Sequence, residues 1–187
     1  MRALLTMFAV TVAGSAPVLA TEVVAVPKFK AVELRGGGDV QLRYGPIQRV
    51  TLVEGSSQFT SVRVVRNQEL RIDACDTRCP RHYRLRIVIE SPTVPTLGVS
   101  GGGSITAYSG FGGQRELTVA VGGGGAIDVR AISADKATAA VSGGGAIKVR
   151  AQRVLTAAVN GGGEVRYWGD PAVTSAINGG GTVRPGS

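Results

Sequence analysis

Aromatic residues are scarce in this chain: four Phe, four Tyr and one Trp in 187 residues. Large rings therefore cannot organise the interior, and the stacking platforms that hold single-stranded nucleic acid are missing. Histidine occurs once, at His82, and no serine-nucleophile motif accompanies it, so a histidine-centred catalytic triad is not readable here. No Gly-Lys-Ser/Thr follows any glycine run and no Gly-x-Gly-x-x-Gly opens a helix-like segment, which argues against a phosphate cradle. Beyond residue 20 there is no long apolar run, so no spanning helix is expected in the remainder.

Cysteine is limited to Cys75 and Cys79, flanked by strand-like Leu70-Arg-Ile-Asp73 and Tyr83-Arg-Leu-Arg-Ile-Val-Ile89. A disulfide clipping a hairpin end is the expected arrangement in an oxidising compartment. Its closed loop of about five residues makes it worth roughly 2 kcal/mol in the chain-entropy picture. A metal site adding His82 is the alternative, although three ligands at this spacing match no common zinc pattern.

Residues 1–20 read as a signal peptide rather than as part of the fold. Arg2 supplies a positive start, Ala3 to Val12 is almost wholly apolar, and Val18-Leu19-Ala20 is a small-residue cleavage site before Thr21. A retained membrane anchor is the other reading, but the run is short for a span and is broken by Gly14, Ser15 and Pro17. Export to the periplasm or beyond the cell follows, with residues 21–187 as one domain. Losing Arg2 leaves 20 basic and 13 acidic side chains, a net +7.

What the chain has in abundance is glycine, 28 residues, and most of it is ordered. Six phrases of one form, aliphatic-x-Gly-Gly-Gly-x-Ile/Val, begin at Leu34, Val99, Val121, Val141, Val159 and Ile177. The last five triplets start at Gly101, Gly123, Gly143, Gly161 and Gly179, in steps of 22, 20, 18 and 18 residues. A recurring unit of that length means a stacked architecture. Aligned on the triplet, Val99, Val121, Val141, Val159 and Ile177 share one position, and Ile105, Ile127, Ile147, Val165 and Val183 share another. Apolar residues alternate with polar or small ones, the period of two that strands require.

Each repeat is thus a strand, a glycine corner and a second strand. The pattern predicts an all-β, parallel β-solenoid with short strands and Gly-Gly-Gly corners over 95–187, preceded in 21–94 by a layer with additional antiparallel strands. Length differences between repeats fall between Tyr108 and Leu117, Arg130 and Ala137, and Arg150 and Leu155, so a variable corner is expected there. Glycine costs roughly 0.5–1 kcal/mol against alanine wherever alanine would serve. The triplets must therefore sit at positive φ or where a Cβ would collide.

Two outward surfaces are candidate interaction sites. Five residues before each triplet stands threonine, Thr96, Thr118, Thr138, Thr156 and Thr174, beside Gly98, Ala120, Ala140, Ala158 and Ala176. Close packing against another layer, with the hydroxyls bonding along the ladder, is one reading; a flat recognition face is the other. On the second strand Arg130, Lys148, Arg150 and Arg166 form a candidate cationic edge, readable either as solubility or as a weak polyanion surface.

The phrases in order resemble a known family. Val32-Glu-Leu-Arg-Gly-Gly-Gly-Asp-Val-Gln-Leu42, Val50-Thr-Leu-Val-Glu-Gly55, Glu69-Leu-Arg-Ile72 and Arg86-Ile-Val-Ile-Glu-Ser-Pro92 lead into Val99-Ser-Gly-Gly-Gly-Ser-Ile105 and its echoes. Together they are similar to the putative auto-transporter adhesin, head GIN domain family, over about residues 27–184. The resemblance implies an exported, β-rich, solenoid-like protein and brings no catalytic residue set with it.

The expected function is non-enzymatic: an envelope or surface interaction protein that binds a partner or polymer through a repeat face, with no cofactor and no nucleic acid. A carbohydrate-active β-helix enzyme is the alternative, but Asp128, Asp135, Glu164 and Asp170 do not align in adjacent repeats as paired carboxylates would. A purely structural envelope component is the third reading.

Overall fold

The computed structural model describes residues 21–76 and 78–187; the signal peptide expected over 1–20 lies outside them. All fifteen strands join one sheet. In chain order they are β1 (Glu22–Val24), β2 (Ala31–Gly36), β3 (Asp39–Tyr44), β4 (Arg49–Glu54), β5 (Ser61–Val65), β6 (Glu69–Asp73), β7 (Arg86–Ser91), β8 (Thr96–Gly101) and β9 (Ser104–Ala107). There follow β10 (Gln114–Gly123), β11 (Ala126–Gly143), β12 (Ala146–Asn160), β13 (Glu164–Trp168), β14 (Ala172–Asn178) and β15 (Thr182–Pro185).

Period-two alternation makes most strands bury one face. In β10, Leu117, Val119 and Val121 are buried while Thr118 and Ala120 between them are exposed. Parallel pairing in direct register then files like residues behind one another at about 4.8 Å. One column runs Ile72, Leu34, Val99, Val121, Val141, Val159, Ile177. A second runs Ile87, Val40, Ile105, Ile127, Ile147, Val165, Val183. The strands of the first ninety residues thus extend the columns of the repeats. Each fully buried aliphatic contributes about 1.5–3 kcal/mol relative to exposure, which replaces the missing aromatic core.

The expected parallel β-solenoid is corrected by the topology. The sheet is mixed and curls back on itself into a nearly closed, barrel-like form, with strand order β1-β4-β7-β3-β9-β11-β10-β8-β2-β6-β5. Pairs β1/β4, β4/β7 and β5/β6 are antiparallel. Two physical causes account for the difference. First, the connections in the N-terminal part include tight reversals: β5 and β6 are joined by a single 3-10 turn, Arg66–Gln68, in which Asn67 (φ 64°) and Gln68 (φ 59°) take left-handed backbone. A reversal that short can only make an antiparallel neighbour.

Second, two of the three expected variable corners are strand: residues 130–137 lie within β11 and 150–155 within β12, whereas 108–113, between β9 and β10, is a loop as expected. β11 runs unbroken for 18 residues, pairing with β9 at Ala126–Asp128 and with β10 from Ala134 onward. Its register against β12 shifts between Asp128 and Ser133 and again between Ala134 and Lys136, and such irregularities bend a strand without ending it. The arms β7-β3-β9 and β6-β2-β8-β10 therefore meet along β11 and enclose one interior.

The glycine corners show why two of three positions exclude a side chain. Gly143 has φ +117°, and a Cβ there would lie 2.6 Å from the Gly123 carbonyl oxygen of the preceding repeat. A Cβ on Gly145 would strike Val121 Cγ1 and sit 2.7 Å from the Gly125 carbonyl oxygen. The middle glycine, Gly144, has nothing within 4 Å of a Cβ position, so neither reason applies to it.

Cys75 and Cys79 are joined in a disulfide, with Cα atoms 6.0 Å apart. Beside it, the hydroxyl of buried Thr60 lies 3.1 Å from the Ala74 carbonyl oxygen and 2.6 Å from the Tyr83 hydroxyl, which lies 3.1 Å from the Ser56 carbonyl oxygen; one hydroxyl donates to the other and the second donates to its carbonyl. Phe59 meets the Tyr83 ring edge-on at 5.6 Å. This polar knot ties the loop that carries the disulfide to the end of the sheet.

Candidate interaction surface

Register pairing places Thr118, Thr138, Thr156 and Thr174 in one straight row across β10, β11, β12 and β14. Thr96 begins β8 on the same arm and pairs with Ala31 of β2. All five threonines are exposed. Of the two readings open for the ladder, the hydroxyl-to-hydroxyl bonding of the packed one is not formed: among the described residues no side-chain hydrogen bond involves any of these five hydroxyls.

The rows on the glycine-corner side of it are small and uncharged. Ala120, Ala140, Ala158 and Ala176 pair in register on one side of the threonines, and Gly122, Ser142, Asn160 and Asn178 follow, with the Asn178 amide donating to the Asn160 side-chain oxygen at 3.0 Å. On the other side Glu116 pairs with Lys136, and Val154 with Ala172. Toward β2 and β6 the same face turns ionic: Ser100 donates to Glu33, Arg35 and Arg63 reach Asp73 at 3.5 and 2.8 Å, and Arg71 pairs with Glu69 at 3.0 Å. The threonine rows are thus a neutral field bounded by a charged border.

The cationic residues lie on the other arm. Lys148, Arg166 and Arg184 pair in register next to Asp128. Their charges are largely engaged: Arg130 and Lys148 reach Asp128 at 3.2 and 3.8 Å, and Arg166 and Arg184 reach Glu164 at 2.5 and 2.6 Å. Hydrogen bonds from Arg166 and then Arg184 hold the Glu164 carboxyl below its ordinary pKa. Arg130 also covers the Trp168 ring at 5.2 Å, and Arg43 covers Tyr108 at the same distance. Of the four residues of the expected edge, Arg150 alone has no ion pair among the described residues, and it pairs in register with Trp168.

Several clefts open on the surface of the described residues. One of about 430 Å³ is lined by Val26, Lys28, Phe29, Lys30, Ile47 and Gln48 among others, with no carboxylate. Another, of about 290 Å³, brings Asp39 and Glu54 to one place, a pairing that strand spacing alone did not reveal because it depends on how β4 folds against β7. Both acids there are engaged, Asp39 by the Ser104 hydroxyl at 2.5 Å and Glu54 by Arg86 at 3.6 Å. Among the described residues no helix is long and apolar enough to cross a membrane.

Comparison with known proteins supports the fold and the family resemblance. No curated protein matches the sequence. Among solved structures the chain is similar to a putative adhesin from Bacteroides fragilis, with 18% identity and a TM-score of 0.55 over 89% of this chain and 96% of that one. A putative adhesin from Parabacteroides distasonis (18% identity, 89% and 96% covered) and a putative cell adhesion protein from Clostridium sporogenes (14%, 89% and 97%) each align with a TM-score of 0.45. The first likeness is one of fold. Residues 107–171, which hold the phrases at Val121, Val141 and Val159, match the family described as putative auto-transporter adhesin, head GIN domain, and this is the family that the glycine phrases resemble.

Proposed function

We propose that this is an exported, non-catalytic interaction protein of the envelope or cell surface, which holds an extended polymer or protein along the threonine face. One observation carries the reading: five exposed threonines occupy equivalent positions on one face, and among the described residues their hydroxyls make no side-chain hydrogen bond. Each hydroxyl is both donor and acceptor, and β-branched threonine is stiff at χ1, so little side-chain entropy is lost on contact. The adjoining alanine row offers a flat apolar strip. Contacts that are individually weak add along a repeating ligand, because each bound unit raises the effective concentration of the next. The adhesion names of the family and of the structural neighbours favour the same kind of role.

The cationic arm fits a ligand less well, since most of its charge is already spent within the molecule. The test compares capture of the mature protein on immobilised insoluble polysaccharides and on envelope fractions for three proteins: the natural chain, Thr138→Lys/Thr156→Lys, and Arg150→Glu. Expected is a captured partner that the double lysine variant loses at least tenfold and Arg150→Glu retains. Capture that survives the lysines but fails in Arg150→Glu would move the site to the cationic arm. Absence of any capture would leave the structural-component reading in its place.

A further inference from the structure

We propose that the open end of the sheet at β14 is a self-association surface, on which two copies of this chain pair β14 with β14 antiparallel about a two-fold axis at Ser175. This goes beyond the threonine-face reading and does not depend on it.

The apolar columns do not close at the last repeat. Leu155 and Val159 of β12 are fully buried, yet their register partners on β14, Val173 and Ile177, are 40% and 43% exposed. Among the described residues β14 pairs with β12 alone, so no strand of theirs takes up its second edge of backbone N–H and C=O groups. Such an edge invites a further strand unless charge, proline or brevity blunts it.

The other sheet ends are blunted and this one is not. β15, the companion strand of the last repeat, ends in Arg184 and Pro185, and β1 is three residues long and starts with Glu22. β5 carries Arg63, fixed on Asp73. In contrast, β14 reads Ala-Val-Thr-Ser-Ala-Ile-Asn, seven exposed residues without a charge or a proline.

Self-complementarity selects the occupant. Val173 and Ile177 lie symmetrically about Ser175, so antiparallel pairing centred there sets Val173 of one copy opposite Ile177 of the other, twice. Thr174 falls opposite Ala176, a pair of small outward side chains. The same interface serves both copies, which is the condition for a closed two-fold dimer. β14 carries no charged residue, so like-charge repulsion between copies of a chain of formal net +8 is weakest where β14 faces β14.

The experiment is sedimentation equilibrium of the mature protein over a wide concentration range, together with cysteine cross-linking under mild oxidation. Across the axis the two position-175 Cα atoms come within about 4.5–5.5 Å, inside disulfide reach. The two position-172 atoms lie about 20 Å apart, six residues of strand. Expected are a concentration-dependent dimer, at least tenfold weaker in Ile177→Lys, and covalent dimer from Ser175→Cys but not from Ala172→Cys. Thermal melting of Ile177→Lys near the natural value separates loss of pairing from loss of fold. A monomer at every concentration, or a dimer that Ile177→Lys leaves intact and Ser175→Cys fails to trap, overturns the proposal.

Discussion

Replacing each glycine of the Gly143-Gly144-Gly145 corner by alanine, one at a time, separates three physical situations within three consecutive residues. At Gly143 the backbone sits at φ +117°, a region that L side chains rarely adopt, and the new Cβ would also crowd the Gly123 carbonyl at 2.6 Å. Strain of this kind costs about 1–3 kcal/mol. At Gly145 the methyl meets Val121 Cγ1 and the Gly125 carbonyl in the repeat beneath, both fixed by the column packing. Overpacking against atoms that cannot move away costs about 1–3 kcal/mol. At Gly144 the methyl meets nothing within 4 Å, and the backbone is not left-handed. Alanine there restricts only the unfolded chain and should stabilise by about 0.4–1 kcal/mol.

Against a total stability of about 5–15 kcal/mol for a domain, the outer two losses are visible and the middle gain is measurable. Urea equilibrium unfolding of residues 21–187 gives the three differences from the midpoints, provided the slopes stay equal. The expected order is Gly144→Ala above the natural chain, with Gly143→Ala and Gly145→Ala well below it. If Gly144→Ala costs as much as its neighbours, or Gly145→Ala costs nothing, the repeats do not stack at this corner as described.

Three further outcomes follow from the same structure. Thr60→Val removes a buried hydroxyl from the Ala74 carbonyl and the Tyr83 hydroxyl, and urea unfolding should show a loss of about 1–3 kcal/mol; Thr118→Val, on the open face, should change stability by less than about 0.5 kcal/mol. Cys75→Ser/Cys79→Ser should lower stability by about 2 kcal/mol, and dithiothreitol should lower the natural chain equally while leaving the variant unchanged. Glu164 has its pKa lowered in the folded state, so its pairing with Arg166 and Arg184 contributes above the unfolded value of 4.5 and fades as pH falls through the lower folded value. The stability gap between the natural chain and Glu164→Gln, at most about 1 kcal/mol for so exposed a pair, should therefore shrink between pH 6 and pH 3 and with added salt.

The parts of this fold that the sequence reveals are those that repeat. Val99, Val121, Val141, Val159 and Ile177 align on the glycine triplets, and they pair in that same register because the length differences fall well away from the corner. The threonines are legible for the same reason: a residue that recurs on the outward phase of a strand has to share a row. What was not legible is closure. Alternation at period two says which side of a strand is buried but is identical for parallel and antiparallel neighbours, so antiparallel strands were expected in 21–94 without the pairings β4 with β7 and β5 with β6 being readable.

Continuity was equally hidden. Residues 130–137 have the length of a corner, yet Ile132 and Ala134 are buried there: the alternation slips by one residue at Arg130-Ala131 and again at Asp135-Lys136, and β11 bends instead of breaking. The Thr60–Tyr83 knot joins residues 23 apart with no repeat to align them, and only the folded chain brings them together. The middle glycines remain unexplained by either sterics or backbone.

The most direct measurement of the central claim, that the repeats stack in register and turn their threonines to solvent, is paired-cysteine oxidation along the row. Adjacent rows lie about 4.8 Å apart, inside the Cα range of a disulfide, whereas alternate rows lie twice as far. Thr138→Cys/Thr156→Cys should close rapidly to an intramolecular disulfide in the native protein, each single variant should react with a maleimide without unfolding, and Thr118→Cys/Thr156→Cys should stay reduced. Failure of the adjacent pair to close, or equal closure of the alternate pair, would contradict the register on which the fold and the proposed binding face both rest.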